Sequence, residues 1–157
     1  MRWSAIWHVI TLQMIKTGPV KARLAKGKMN KTKCVIPLLV YKDIAAAHDF
    51  LVSAFGFDAG RVDRDAEGRA VHGEVQAGDT TIWLHRVTAE HALDSLAIAS
   101  GGLVVHVDDV DAHYERARAA GAKIEGEPKN QPYGQREYQV SDPDGHRWWF
   151  ATPVAAS

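Results

Sequence analysis

A single cysteine, Cys34, stands among the 157 residues. It can form no disulfide within the chain and no thiolate cage for zinc, and it fits a reducing cytosol. Long apolar runs are missing too: none approaches the roughly 20 residues that a membrane-spanning helix needs. Neither sign of charge is in excess. Nineteen Lys and Arg balance nineteen Asp and Glu, which gives no overall pull toward nucleic acid or an anionic membrane. Ser53 and Ser141 have no His and carboxylate arranged around them in sequence, and no motif activates Cys34, so nucleophilic catalysis is unsupported.

The charge that is present is unevenly placed. Residues 1–33 carry eight basic groups and no acid, while residues 34–157 carry eleven basic and nineteen acidic. The opening Met1–Ile15 loosely resembles an export signal. His8 and Gln13 break its apolar core, however, and no small-x-small cleavage site precedes Lys16–Lys33. Residues 1–33 therefore read as a basic N-terminal extension or linker, with Met29 as a candidate initiator; the alternative is a helical arm over a dimer or pocket edge. The lysines lack interleaved aromatics, so a solvated tail is expected rather than a nucleic-acid contact.

With 46% hydrophobic residues, the rest can bury one substantial core over residues 34–153, leaving a tail at 154–157. Cys34–Tyr41 reads as a strand. Asp43 caps a helix whose Ile44, Ala47, Phe50, Leu51 and Ala54 recur at helical spacing, and Gly56 stops it. Strands follow over 57–62, 70–76 and 80–85. A short helix and loop are expected over Thr88–Ser100. The pattern then restarts with a strand at 103–107, a helix capped at Asp108-Asp109 and ended by Gly121, and strands at 122–125 and 135–140, with a loop from Pro128 to Gly134. Asp142-Pro-Asp-Gly145 is turn chemistry that leads into the aromatic arm Arg147-Trp-Trp-Phe150, and His146 in that turn is expected in solvent. Asp43 to Asp108 and Gly56 to Gly121 are both offset by 65 residues. The spacing argues for two tandem βαβββ modules, about 34–87 and 101–153, in an α+β fold.

In this order the motifs resemble the vicinal oxygen chelate superfamily of glyoxalase I, extradiol dioxygenases, and fosfomycin- and bleomycin-resistance proteins. The resemblance runs over residues 34–153. It rests on Val40-x-x-Asp43, Ala54-Phe-Gly-Phe57, Val107-Asp-Asp-Val-Asp-Ala-His-Tyr114, Ala119-Ala-Gly-Ala122, Tyr133-Gly134 with Arg136, and Asp142-Pro-Asp-Gly145. It implies a half-barrel sheet with helices on its convex side, a substrate pocket on the concave face, and a dimer in which a second chain completes that pocket. It also implies four metal-ligand slots. Here they fall at Ile36 or Pro37, Trp83, Gly102 and Trp149, none of which supplies a donor to a divalent ion.

The site expected in place of a metal is aromatic. Trp83, Tyr138 and Trp149 offer flat walls, with Arg136 sharing a face with Tyr138 and Arg147 one with Trp149. Trp148 and Phe150 are assigned to the core. His85 and His106 have the parity of the neighbouring slots and could orient a ligand, act as an acid/base pair, or, with Glu74, hold a non-standard metal. His48, His72, His91 and His113 have no partner that can be named. The expected function is a cytoplasmic, metal-independent small-molecule-binding protein. It would hold an aromatic or amphipathic compound, such as an antibiotic, in a homodimer without cofactor, nucleic acid or membrane. The alternative is a glyoxalase-like lyase, isomerase or dioxygenase with an unusual metal set or a His acid/base pair.

Overall fold

Helix caps and strand alternation set the framework. The computed structural model describes residues 32–89 and 101–154. In chain order these form β1 (Leu38–Tyr41), α1 (Ile44–Phe55), β2 (Asp58–Arg64), β3 (Ala70–Ala77) and β4 (Thr80–Arg86). There follow β5 (Gly102–His106), α2 (Val110–Ala119), β6 (Lys123–Gln131), β7 (Gln135–Ser141) and β8 (Arg147–Pro153). The two βαβββ modules each make a four-stranded mixed sheet, ordered β1-β4-β3-β2 and β5-β8-β7-β6, and do not close into a barrel. In each, the first strand lies parallel to the last and the other neighbours are antiparallel. The α+β class and the duplicated module stand as expected.

Each helix begins on an Asp that satisfies an otherwise open backbone donor. Asp43 accepts from the Ala46 N–H at 3.0 Å and Asp109 from that of Ala112 at 2.9 Å. Asp109, not Asp108, takes the second cap, so the caps are 66 residues apart. Gly56 stops α1 with a φ of 69°, the left-handed region that favours glycine.

One core lies on the helix-covered side of both sheets. Val75, Ile82 and Leu84 of the first module and Val140, Trp148 and Phe150 of the second are fully buried. Each such side chain contributes about 1.5–3 kcal/mol of transfer free energy. The modules are joined at the end of α1, where the Phe55 ring meets Trp148 and Phe150 with centroids 5.4 and 4.9 Å away. His113 on α2 locks this contact. Its Nε2–H donates to the Phe55 carbonyl at 2.9 Å, and its Nδ1 accepts from the Tyr138 hydroxyl at 2.8 Å.

A second tie crosses from β1 to the Asp-Pro-Asp-Gly turn. Asp142, only 3% exposed, accepts from the Tyr41 hydroxyl at 2.7 Å and the Trp148 Nε1–H at 3.2 Å. It also accepts from the His146 ring at 3.0 Å and from the backbone N–H groups of His146 and Asp144. The expectation that His146 lies in solvent is thereby corrected: it is 8% exposed, drawn inward by the Asp142 carboxylate.

Most strand ends differ from the sequence reading by one or two residues, and two differ by more. β1 starts at Leu38, leaving Cys34 exposed. β6 continues to Gln131 through Pro128, because the register shift between Gly126 and Lys129 removes the need for a ladder hydrogen bond there. The leader as far as residue 31, residues 90–100 of the stretch Thr88–Ser100 expected as a short helix and loop, and residues 155–157 lie outside the described residues.

Candidate functional site

Neighbours along a strand point to opposite faces, so the residues between the buried ones look away from the helices. Trp83 lies between Ile82 and Leu84, and Trp149 between Trp148 and Phe150; both indoles are half-buried. They occupy equivalent places in the two modules. Trp83 stands opposite Leu38 of the edge strand β1 and Trp149 opposite Val104 of β5, each pair 66 residues from its counterpart. Leu38 is 39% and Val104 61% exposed, so each indole sits beside an uncovered aliphatic side chain.

Glycine makes room for the second indole. A Cβ built on Gly102 would lie 2.2 Å from Cζ3 of Trp149. The ring therefore rests on the β5 backbone where the family pattern would set a histidine. Trp149 also lines a cavity of about 160 Å³ with Lys129, Glu137 and Gln139. Arg147 has the same parity, and its charge helps to hold the Glu125 carboxyl below the usual range, after the hydrogen bonds from Lys123 and Ser141. His106 approaches the Gln135 amide at 3.2 Å.

On the first module, β3–β4 pairing sets His72 opposite His85 and Glu74 opposite Trp83. The His72 and His85 ring centroids are 5.2 Å apart, and the Trp83 and His85 planes are within 8° of parallel. His72 donates through Nε2 to Glu74 at 3.2 Å, and Arg61 approaches the same carboxylate oxygen at 3.2 Å. The hydrogen bond from His72, aided by the Arg61 charge, outweighs burial and holds the Glu74 carboxyl below its ordinary range. His72 is one of the four histidines that the sequence reading left unassigned. The signal was there: a tight hairpin around Gly78-Asp79 fixes which residues of its two arms face each other.

Two expected site residues belong elsewhere. Tyr138 is 2% exposed and Arg136 is paired bidentately with Asp111 of α2 at 2.7 Å, so both lie on the helix-covered side. Parity linked these two residues correctly but left open which face the helix would cover. Nor does the structure pair His85 with His106: the first keeps company with His72 and Trp83, the second with Gln135.

Between the modules lies a cavity of about 540 Å³ whose walls include Phe55, Phe57, Ile82, Gln76 and the run Leu103–Val107. Its size falls in the range of small-molecule sites. The Gln76 Oε1 is buried without a hydrogen-bond partner among the described residues.

The donor set does not fit the metal centre that the fold would allow. Ile36, Pro37, Trp83, Gly102 and Trp149 bring no oxygen or imidazole side-chain donor, and among the described residues no three His, Cys, Asp or Glu side chains are grouped so that they could hold a metal ion. Nor is any helix among them long and apolar enough to cross a membrane.

Tandem βαβββ modules, each with one sheet face given to helices and the other left to aromatic and polar side chains, define an α+β fold with known relatives. Residues 33–150 match the model of the Glyoxalase/Bleomycin resistance protein/Dioxygenase superfamily. An uncharacterised protein of Mycobacterium bovis is 31% identical over 133 residues, covering 80% of this chain and 87% of that protein. TioX from Micromonospora sp. ML1 matches in structure with a TM-score of 0.64 at 30% identity, over 78% of this chain and 100% of its own. TnmS3, an antibiotic binding protein from Streptomyces sp. CB03234, gives 0.59 at 29% identity, over 80% and 100%. The chain belongs to the Glyoxalase/Bleomycin resistance protein/Dioxygenase superfamily.

Proposed function

We propose that this chain is a cytoplasmic small-molecule-binding protein that holds a flat aromatic or amphipathic compound, such as an antibiotic, against Trp83 and Trp149 in a homodimer. The observation that carries this reading is the repeated placement of an indole, beside an exposed aliphatic edge residue, on the face of each sheet turned from the helices. Stacking on such a ring contributes about 0.5–1.5 kcal/mol beyond area burial, and Arg147 supplies charge for an acidic substituent. A second copy covering Leu38 and Val104 would turn each open face into a closed cleft. The similarity to TnmS3, an antibiotic binding protein, supports the same reading. On this reading residues 34–153 carry the function, residues 1–33 are an extension, and binding needs no metal.

The test is a thermal-shift screen with bleomycin-, mitomycin- and flavin-like compounds. A ligand at a hundred times its Kd adds about 2.7 kcal/mol of stability, and Trp83→Ala and Trp149→Ala should each weaken that gain. Uniform absence of stabilisation across the panel would sink the proposal.

A second reading, acid–base catalysis, rests on the His72 and Glu74 contact, since a carboxylate that fixes one ring nitrogen leaves the other free to take a proton. Turnover of a bound compound, abolished by His72→Gln with binding retained, would favour it over sequestration.

A further inference from the structure

Four cationic side chains converge at one end of the first sheet. Lys42 follows β1, Arg64 closes β2, Arg69 precedes β3 and Arg86 closes β4. Strand pairing sets Arg86 beside Tyr41 and Arg64 beside Ala70, and all four cations border one cavity of about 380 Å³. Among the described residues the lining holds a single carboxylate, Asp43, whose Oδ1 is already engaged by the Ala46 N–H. Residues 34–157 carry eleven basic and nineteen acidic groups, so this concentration of positive charge runs against the balance of the body.

Two of the cations are matched. Lys42 lies 3.5 Å from Asp144, and Arg69 reaches Asp65 and Glu67 at 2.8 Å. The other two meet no carboxylate among the described residues. Arg64 donates to the Gly68 carbonyl at 2.9 Å, and the half-buried Arg86 side chain makes no hydrogen bond or ion pair with any described residue. A guanidinium withdrawn from water without a counter-charge is costly, which makes an anionic partner favourable.

We propose that this cavity binds a phosphoryl group, carried by a small phosphorylated molecule or as free phosphate, with Arg64 and Arg86 as its principal ligands. The guanidinium fork donates two parallel hydrogen bonds to a tetrahedral oxyanion, and Lys42 adds a point charge at the rim. The site lies apart from the two indole faces and stands whether or not they bind a guest.

The experiment is titration of the full chain with inorganic phosphate, methyl phosphate and malonate at constant ionic strength. Binding is read by the shift in melting temperature and, for the phosphates, by ³¹P line broadening. Saturable phosphate binding that weakens about tenfold in both Arg64→Gln and Arg86→Gln supports the proposal, with Arg118→Ala, whose residue pairs with Glu115 elsewhere, unchanged. Tighter binding of methyl phosphate assigns the organic source, and equal binding assigns free phosphate. Urea midpoints in chloride establish that each variant folds. If one does not, the other decides by line broadening. No saturable phosphate binding over chloride, equal affinity for malonate, or indifference to both substitutions overturns the proposal.

Discussion

The buried Asp142 carboxylate makes a quantitative prediction about how the two modules are held. Asp142→Ala removes the acceptor of the Tyr41 hydroxyl, the Trp148 Nε1–H and the His146 ring N–H. A buried donor left without a partner costs about 1–3 kcal/mol, and here three lose theirs at once. A loss of about 4 kcal/mol is expected, near 10 °C in melting temperature for a chain of this length. Tyr41→Phe alone should cost about 1 kcal/mol, since the carboxylate keeps its other donors. In the double variant the orphaned hydroxyl is gone, so it should be hardly less stable than Asp142→Ala. Urea unfolding followed by tryptophan fluorescence measures all three. Burial pushes the Asp142 carboxyl up, but the hydrogen bond and charge of His146, with Tyr41 and Trp148, outweigh it and hold the group low. Its contribution is therefore present above about pH 4 and lost as the pH falls through the folded-state value. A cost below about 1 kcal/mol at pH 7, or additive effects of the two substitutions, would refute the reasoning.

Gly102→Ala drives a methyl into the Trp149 ring and toward the Arg147 carbonyl; a loss of about 1–3 kcal/mol and altered indole emission are expected, and an unperturbed Trp149 signal would count against the stacked geometry. His113 is held below its ordinary protonation range, first by burial and then by the Arg116 charge, against the Phe55 hydrogen bond. The unfolded chain therefore takes that proton first, and stability should fall as the pH drops below about 6.5; urea midpoints at pH 7.5 and 5.5 check this, and His113→Asn should flatten the difference. In the proposed homodimer, Val104→Asp places a charge on the exposed edge strand β5 and should shift sedimentation from dimer to monomer by at least tenfold in dissociation constant, about 1.4 kcal/mol; sedimentation identical to the parent chain would remove this edge from the proposed interface.

Local chemistry wrote much of this protein into its sequence. Asp43 and Asp109 begin helices because a short carboxylate side chain reaches an open N–H, and Gly56 ends one because its backbone accepts positive φ. Strand alternation alone ties Trp149 to Arg147, and Tyr138 to Arg136. What alternation cannot say is which face of a strand is covered. That is decided when Phe55 of α1 docks on Trp148 and Phe150 and when His113 of α2 bonds Tyr138, contacts between residues 25 to 95 positions apart. Those contacts turned Tyr138 and Arg136 toward the helices and left both indoles facing away. The Tyr41 contact with Asp142 likewise drew His146 inward, although its turn is the kind that ordinarily lies in water. Parity is a property of one strand's backbone, whereas burial belongs to the assembled layers, and only the layers could choose.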